Sequence, residues 1–254
     1  NGMFAFALWD KNKKRVLIAR DRLGIKPLYF SQFNNTLAFS TEAKAILALN
    51  DITPSINKAA LSQYLELGYV PAPLCLLDGI RKLEVASYLV IENGSISQHS
   101  YWQPEFASIQ QSDDKWATDI FQQLEKSVKD QMVSDVPIGA FLSGGIDSSA
   151  IVALMAKHSD KPVKTYAIGF DTGKAGELYN ELPYAKQVSE LFGTDHKEIV
   201  VRPDVVSLLP KLLWHMDEPI ADSAFITTYL VSKFARQDST VIISGVGGDE
   251  IFAG

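Results

Sequence analysis

From about Ser112 onward, short apolar runs suited to strands take turns with stretches of helical spacing, and this alternation most restricts the fold. "IGAFL" precedes "SSAIVALMAK", "VKTYAIGF" precedes "PYAKQVSELFG", "HKEIVV" precedes "DVVSLLPKLLWHM", and "FITTYLVSKFAR" precedes "TVIIS". Strands separated by helix-length segments need crossover connections, which are right-handed and build a parallel sheet. A long segment with apolar residues near helical spacing, "KWATDIFQQLEKSVKDQMV", leads into this half. Residues 112–254 are therefore expected to form an α/β unit around a doubly wound parallel sheet.

Residues 1–106 have another rhythm, with short strands and tight turns. "MFAFALWD" and "RVLIAR" flank the turn-forming "DKNKK", and "PLYFSQ" and "TLAFST" flank "FNN". Asn93-Gly94 between apolar runs signals a hairpin, because both residues tolerate positive φ. Two helical pieces interrupt: "EAKAILAL", with Thr41 as the expected N-cap, and "NKAALSQYLELG", which Gly68 ends. This half is expected to be α+β with antiparallel pairing, joined to the next by a polar linker over residues 104–114.

The totals exclude several classes. A net charge of -6 on 254 residues argues against nucleic acid or an anionic membrane as the main partner, since both call for a basic surface. No apolar stretch has the length of a membrane span. The single cysteine, Cys75, cannot form an internal disulfide, which suits a reducing cytoplasmic compartment. The first residues already lie inside a strand-like pattern and the last complete a glycine-rich motif, so the chain is expected to be an internal fragment.

In an open parallel sheet, ligands bind beyond the carboxyl ends of the strands. "SGGIDSS", residues 143–149, lies at one such end. Its glycines allow a sharp turn and a close backbone approach, and its N–H groups at a helix start form an anion cradle. It is not a Walker A loop, because no lysine follows at the required spacing. Asp147 beside a phosphate calls for a divalent cation between them, and Mg²⁺ is expected. The plainer explanation is a structural turn with Asp147 as a helix cap. A second glycine loop with an acid, "SGVGGDE" at residues 244–250 after "TVII", favours a nucleotide site over such a turn.

These motifs carry a resemblance. "SGGIDSS" resembles the pyrophosphate-binding loop of the N-type ATP pyrophosphatases. "NGMFAFALWD", "RDRLGIKPLYF", "STEAKAIL", "GYVPAP", "DEPIADSA" and "SGVGGDEIFAG" resemble the glutamine-hydrolysing asparagine synthetase family. The resemblance implies an Ntn-hydrolase-like class II glutaminase part over 1–106 and an adenine nucleotide alpha-hydrolase-like synthetase part over 112–254. It implies an ATP- and Mg²⁺-dependent ligase that adenylates a carboxylate, aspartate in the namesake enzyme, and aminates it with ammonia from glutamine. It implies that Leu142, Ser143, Gly144, Gly145, Ser148, Ser149, Ile168, Ser244 and Gly245 hold the nucleotide. Asp147 and Asp249 would hold magnesium, with Glu250 supporting that shell or capping the following helix. A homodimer is one option for the assembly.

Three departures qualify the resemblance. The family's N-terminal nucleophilic cysteine is not in this chain, and Cys75 lacks a base to activate it. Asn1 stands where some relatives have an aspartate for the glutamine α-amino group, keeping an acceptor without the charge. Val246 replaces a glutamate of the best-known asparagine synthetases, so the competing substrate is another carboxylate acceptor, in polysaccharide or secondary metabolism. A PP-loop enzyme of a different kind and a non-catalytic nucleotide-binding module also compete with the ligase. Within "DEPIADS", Asp217, Glu218 and Asp222 are expected either in a solvated turn or near the acceptor. His196 and His215 are expected to pack rather than ligate, and Arg22 and Lys26 to order the first half's strands.

Overall fold

A computed structural model describes residues 2–49, 53–171, 180–202 and 204–252. The chain forms two compact units: Asn1–Ser108 with Pro210–Asp222, and Ile109–Leu209 with Ser223–Gly254.

The first unit contains β1 (Ala5–Asp10), β2 (Arg15–Arg20), β3 (Tyr29–Phe33), β4 (Thr36–Ser40), α1 (Ala43–Leu47), α2 (Lys58–Leu67), β5 (Arg81–Lys82), β6 (Ser87–Glu92) and β7 (Ser95–Ser100). All of its strand pairing is antiparallel, in a sheet ordered β1-β2-β6-β7 and another ordered β4-β3-β5. Asn93 and Gly94 turn β6 into β7 with φ of 52° and 76°, as the dipeptide predicts. Gly68 ends α2 in the left-handed region, and the Asn57 side chain caps its start.

Two expectations for this unit fail. Thr41 does not cap α1; the N-cap is Glu42, whose side chain makes no cap bond. Instead the Asp217 carboxylate accepts from the N–H groups of Ala43 and Lys44 at 3.1 and 3.3 Å, and its Oδ1 pairs with Lys44 Nζ at 2.9 Å. Nor do Asp217 and Glu218 of "DEPIADS" lie in a solvated turn, although Asp222, the third acid of that segment, is exposed. Glu218 is 7% exposed, accepts from the Leu76 N–H at 2.6 Å and pairs with Lys82. These acids draw Pro210–Asp222 into the first unit, so the 112–254 stretch does not lie within one compact body. Burying a carboxylate without partners is costly, and these bonds supply partners for Asp217 and Glu218.

The second unit contains α3 (Asp113–Gln131), β8 (Ile138–Phe141), α4 (Ile146–Lys157), β9 (Lys164–Phe170), α5 (Leu182–Phe192), β10 (Asp195–Val201), the first part of α6 (Val205–Met216), α7 (Ala224–Ala235), β11 (Val241–Ile243) and α8 (Gly248–Phe252). Its four strands are parallel, in the order β10-β9-β8-β11. Alternation along the strands sends side chains to opposite faces. Ala140, Leu142, Ala167 and Ile243 pack in one core with Val152 and Met155 of α4 and Ala185 of α5. Phe141, Tyr166, Ile168 and Ile242 pack in another with Val231 and Ala235 of α7. Helices thus cover both faces, as the alternation of segments predicts. Among the described residues no helix is long and apolar enough to cross a membrane.

Candidate nucleotide site

The chain runs from β8 outward through β9 to β10, then returns to place β11 on the other side of β8. The connections on either side of β8 therefore leave opposite faces of the sheet, which opens a crevice beyond the carboxyl ends of β8 and β11. Both glycine loops emerge there. Residues 142–145 join β8 to α4, and residues 244–247 join β11 to α8.

The loops are in close contact. A Cβ on Gly245 would lie 2.9 Å from Ser148 N and 3.0 Å from Asp147 Cβ, and one on Gly248 would overlap the Asp147 carboxylate. Only a bare backbone fits against Asp147 from the second loop. In the first loop, Gly144 has φ +87°, and a Cβ there would lie 2.5 Å from Tyr184 Cβ. The loop is braced internally: Ser143 and Ser148 share a hydroxyl contact at 3.0 Å, and the Gly145 N–H donates to Ser143 Oγ at 3.2 Å.

Several polar groups here lack partners. α4 begins at the N-cap Gly145 without a side-chain cap. Its first-turn N–H groups have no carbonyls within the helix to bond, and they carry the positive end of the helix dipole. The Ser149 hydroxyl is buried without any hydrogen bond. These donors suit phosphate oxygens. Ser148 is occupied by the loop itself, donating to Gly145 O at 3.2 Å and touching Ser143, so it stands as a brace.

Among the described residues, no three His, Cys, Asp or Glu side chains gather to hold a metal. Asp147, against Gly248, brings a carboxylate to the crevice, and Asp249 follows Gly248 in the chain. That donor set fits Mg²⁺, which is usually held by one or two carboxylates together with substrate phosphates and water. Asp249 and Glu250 both lie exposed in the first turn of α8. Asn1, expected to touch glutamine, lies outside the described residues.

Beside the first loop is a cavity of about 180 Å³, lined by Leu142, Ser143 and Ile168 together with Leu182, Thr227 and Thr228. The Leu142 N–H is taken by Tyr166 O at 2.9 Å, leaving its carbonyl as the group available from that strand end. Sequence reasoning missed the wall contributed by α7 and the start of α5. Its signal is weak: two threonines within the apolar run "AFITTYLV", and Leu182 just before a helix-starting proline.

Cys75 is fully buried in the first unit, and burial, then the nearby Glu218 charge, pushes its thiol up to about 12. Such a thiol is no nucleophile. His196 is used in packing, with Nδ1 2.8 Å from Thr165 Oγ1 and Nε2 3.2 Å from Glu198. Arg22 lies over the Trp102 ring, and the Lys26 N–H donates to Asp21 at 2.9 Å.

The asparagine synthase family profile matches residues 119–254, and the glutamine amidotransferase domain profile matches residues 1–102. Glutamine-hydrolyzing asparagine synthetase 1 of Bacillus subtilis is 40% identical over 256 residues, covering 100% of this chain and 39% of that protein. Putative glutamine-hydrolyzing asparagine synthetase 2 of Methanocaldococcus jannaschii is 40% identical over 261 residues, with 100% and 50% covered. The chain thus spans half or less of the length of these relatives. Among solved structures, NH3-dependent NAD synthetase from Campylobacter jejuni has a TM-score of 0.36 at 17% identity, covering 53% of this chain and 58% of that one. On the profile match, which takes in more than half of its residues, the chain belongs to the asparagine synthase family.

Proposed function

We propose that this chain is part of an ATP-dependent, amide-forming ligase that converts aspartate to asparagine with ammonia from glutamine. The observation that carries the reading is the contact of the two glycine loops beyond adjacent parallel strands, with the Asp147 carboxylate between them. A pair of backbone cradles around an acid is suited to a polyphosphate and its cation.

In the proposed reaction a carboxylate oxygen of the acceptor attacks the α-phosphorus of ATP, and pyrophosphate leaves. Ammonia then attacks the acyl carbon of the mixed anhydride, AMP departs, and the nitrogen loses a proton to give the amide. Magnesium, when bound, would neutralise charge building on the departing pyrophosphate. This chain's residues bind and orient. Gly144, Gly145 and the start of α4 receive phosphate oxygens, with Ser149 as an added donor. Asp147 and Asp249 hold the cation, and Glu250, next along α8, supports them. Leu142 and Ile168 present backbone to the adenosine, and Ser244 and Gly245 close the other side. Fixed donors aimed at developing charge need no reorganisation during the step, which is the largest contribution such a site makes.

A second reading keeps the reaction and changes the acceptor. Val246, at the tip of the second loop, is 90% exposed. An apolar side chain at that position can neither accept a proton nor bind metal, which favours an acceptor other than aspartate. The test uses the intact parent protein with ATP, Mg²⁺, ammonia and a panel of carboxylic acids. AMP and pyrophosphate formed with aspartate support the first reading. Formation only with another acid supports the second. No AMP with any acid, despite ATP binding, refutes both and leaves a nucleotide-binding module.

A further inference from the structure

We infer that Asp217 and Glu218 are positioning residues for the cavity beside the first loop, acting through the short run of chain that leads from them into α7. The inference rests on the reading that the crevice binds ATP. It starts from the way α7 is held. The buried residues of this helix are Val231 and Ala235, both in its second half, where they pack with Tyr166. The first half gives the cavity Thr227 and the exposed Thr228, and Ser143 and Glu181 line the same space. Residues 224–230 are all half-buried or exposed. Among the described residues, Ser223 at the N-cap makes no side-chain cap bond. A helix end with so little buried surface opens locally unless something beyond its own apolar face holds it.

Firm holding points lie immediately upstream, inside the first unit. The Asp217 carboxylate accepts from the Ala43 and Lys44 N–H groups and pairs with Lys44 Nζ at 2.9 Å. Glu218 accepts from the Leu76 N–H at 2.6 Å and pairs with Lys82. Such charge-assisted bonds are among the stronger ones a fold can use. Pro219 follows and fixes its own φ, which stiffens the run. The Ala221 N–H then donates to Gly68 O at 2.7 Å, and a Cβ on Gly68 would lie 3.2 Å from Ala221 Cβ. The chain leaves the first unit at Asp222 and enters the second at Ser223. Ala221 and Ser223 are two residues apart, a span of at most about 7 Å when fully extended. The start of α7 is therefore tied closely to a fixed point. A binding wall is only as well placed as its supports, and here the two acids supply support that the first half of α7 lacks in its own packing.

The experiment uses the full chain with Mg²⁺. It measures equilibrium binding of ATP and, separately, of inorganic tripolyphosphate, together with amide hydrogen exchange along α7. One variant inserts two glycines between Asp222 and Ser223, which slackens the tie and leaves both acids with their partners. The other, Asp217→Asn with Glu218→Gln, keeps the tie and removes the charges. Both should speed exchange over residues 224–230 and leave residues 231–235 as they were. Both should bind ATP roughly three- to tenfold more weakly, the equivalent of one ordinary hydrogen bond, and hold tripolyphosphate as the unaltered chain does. A role confined to the stability of the first unit would leave the glycine insertion silent. Unaltered exchange, unaltered ATP affinity, or equal loss of ATP and tripolyphosphate in the insertion variant overturns the inference and leaves the ligase reading standing. Should the insertion fail to fold, the same readings on the acid pair decide. If the unaltered chain binds neither compound, the ligase reading falls, and this inference with it.

Discussion

Replacing Glu218 by alanine removes one carboxylate and strands both groups that lean on it. Lys82 loses its ion-pair partner while its side chain is only 14% exposed, and it keeps its bond to Val70 O at 2.5 Å. The Leu76 N–H, now donating to Glu218 at 2.6 Å, is left without an acceptor. Breaking a buried pair by deleting one partner costs about 3–5 kcal/mol, because the remaining charge stays buried. Whole domains have stabilities of only about 5–15 kcal/mol, so the loss removes a large share. Urea denaturation followed by circular dichroism should show it directly. A cycle with Lys82→Met, alone and combined with Glu218→Ala, separates the pair from the cost of the stranded charge. The double variant should be more stable than Glu218→Ala alone. A cost below about 1 kcal/mol for Glu218→Ala, well under the range for a broken buried pair, would refute the argument, for it would mean that the Glu218 pair does not help to hold Pro210–Asp222 in the first unit.

Two further outcomes follow from the same unit. Asp21 is 1% exposed; burial alone would raise its carboxyl, but N–H groups of Lys26, Ile25, Phe4 and Leu23 outweigh that and hold it below its usual 3.8. A depressed folded value stabilises fully above the unfolded one and is lost as pH falls through the folded one. Stability should therefore drop below about pH 4, and Asp21→Asn should flatten that part of the profile; an unchanged acid limb would contradict the assignment. Cys75, with its thiol pushed up to about 12, should resist an aromatic disulfide reagent at mildly alkaline pH until the chain is unfolded. Rapid labelling of the native chain would show the site to be open.

What could be read in the amino-acid order depended on how local the cause was. The β8–α4 and β11–α8 loops were legible because each follows an apolar strand and is spelled out in glycine and acid over a short run of adjacent residues. The Asn93-Gly94 hairpin was legible for the same reason. Their meeting beyond neighbouring strands followed once the sheet was taken to be parallel. The Asp217 cap on α1 was not legible, since donor and acceptor are 174 residues apart and leave no periodic trace. The same holds for Glu218 with Leu76, 142 residues apart. Thr227 and Thr228, which line the cavity beside the first loop, leave only a weak mark in the sequence, because a polar pair in a helix reads as a solvent face.

The central claim is that Asp147, held between two backbone cradles, binds a cation-bound triphosphate. Its most direct measurement is the affinity of the full chain for ATP, with and without Mg²⁺, in the unaltered protein and in Asp147→Asn. The account predicts that magnesium tightens ATP binding to the unaltered chain and that the variant loses this gain, by about tenfold or more, as expected for a charge-assisted contact of about 1.5–3 kcal/mol. Equal affinity in both proteins, with the same response to magnesium, would contradict it.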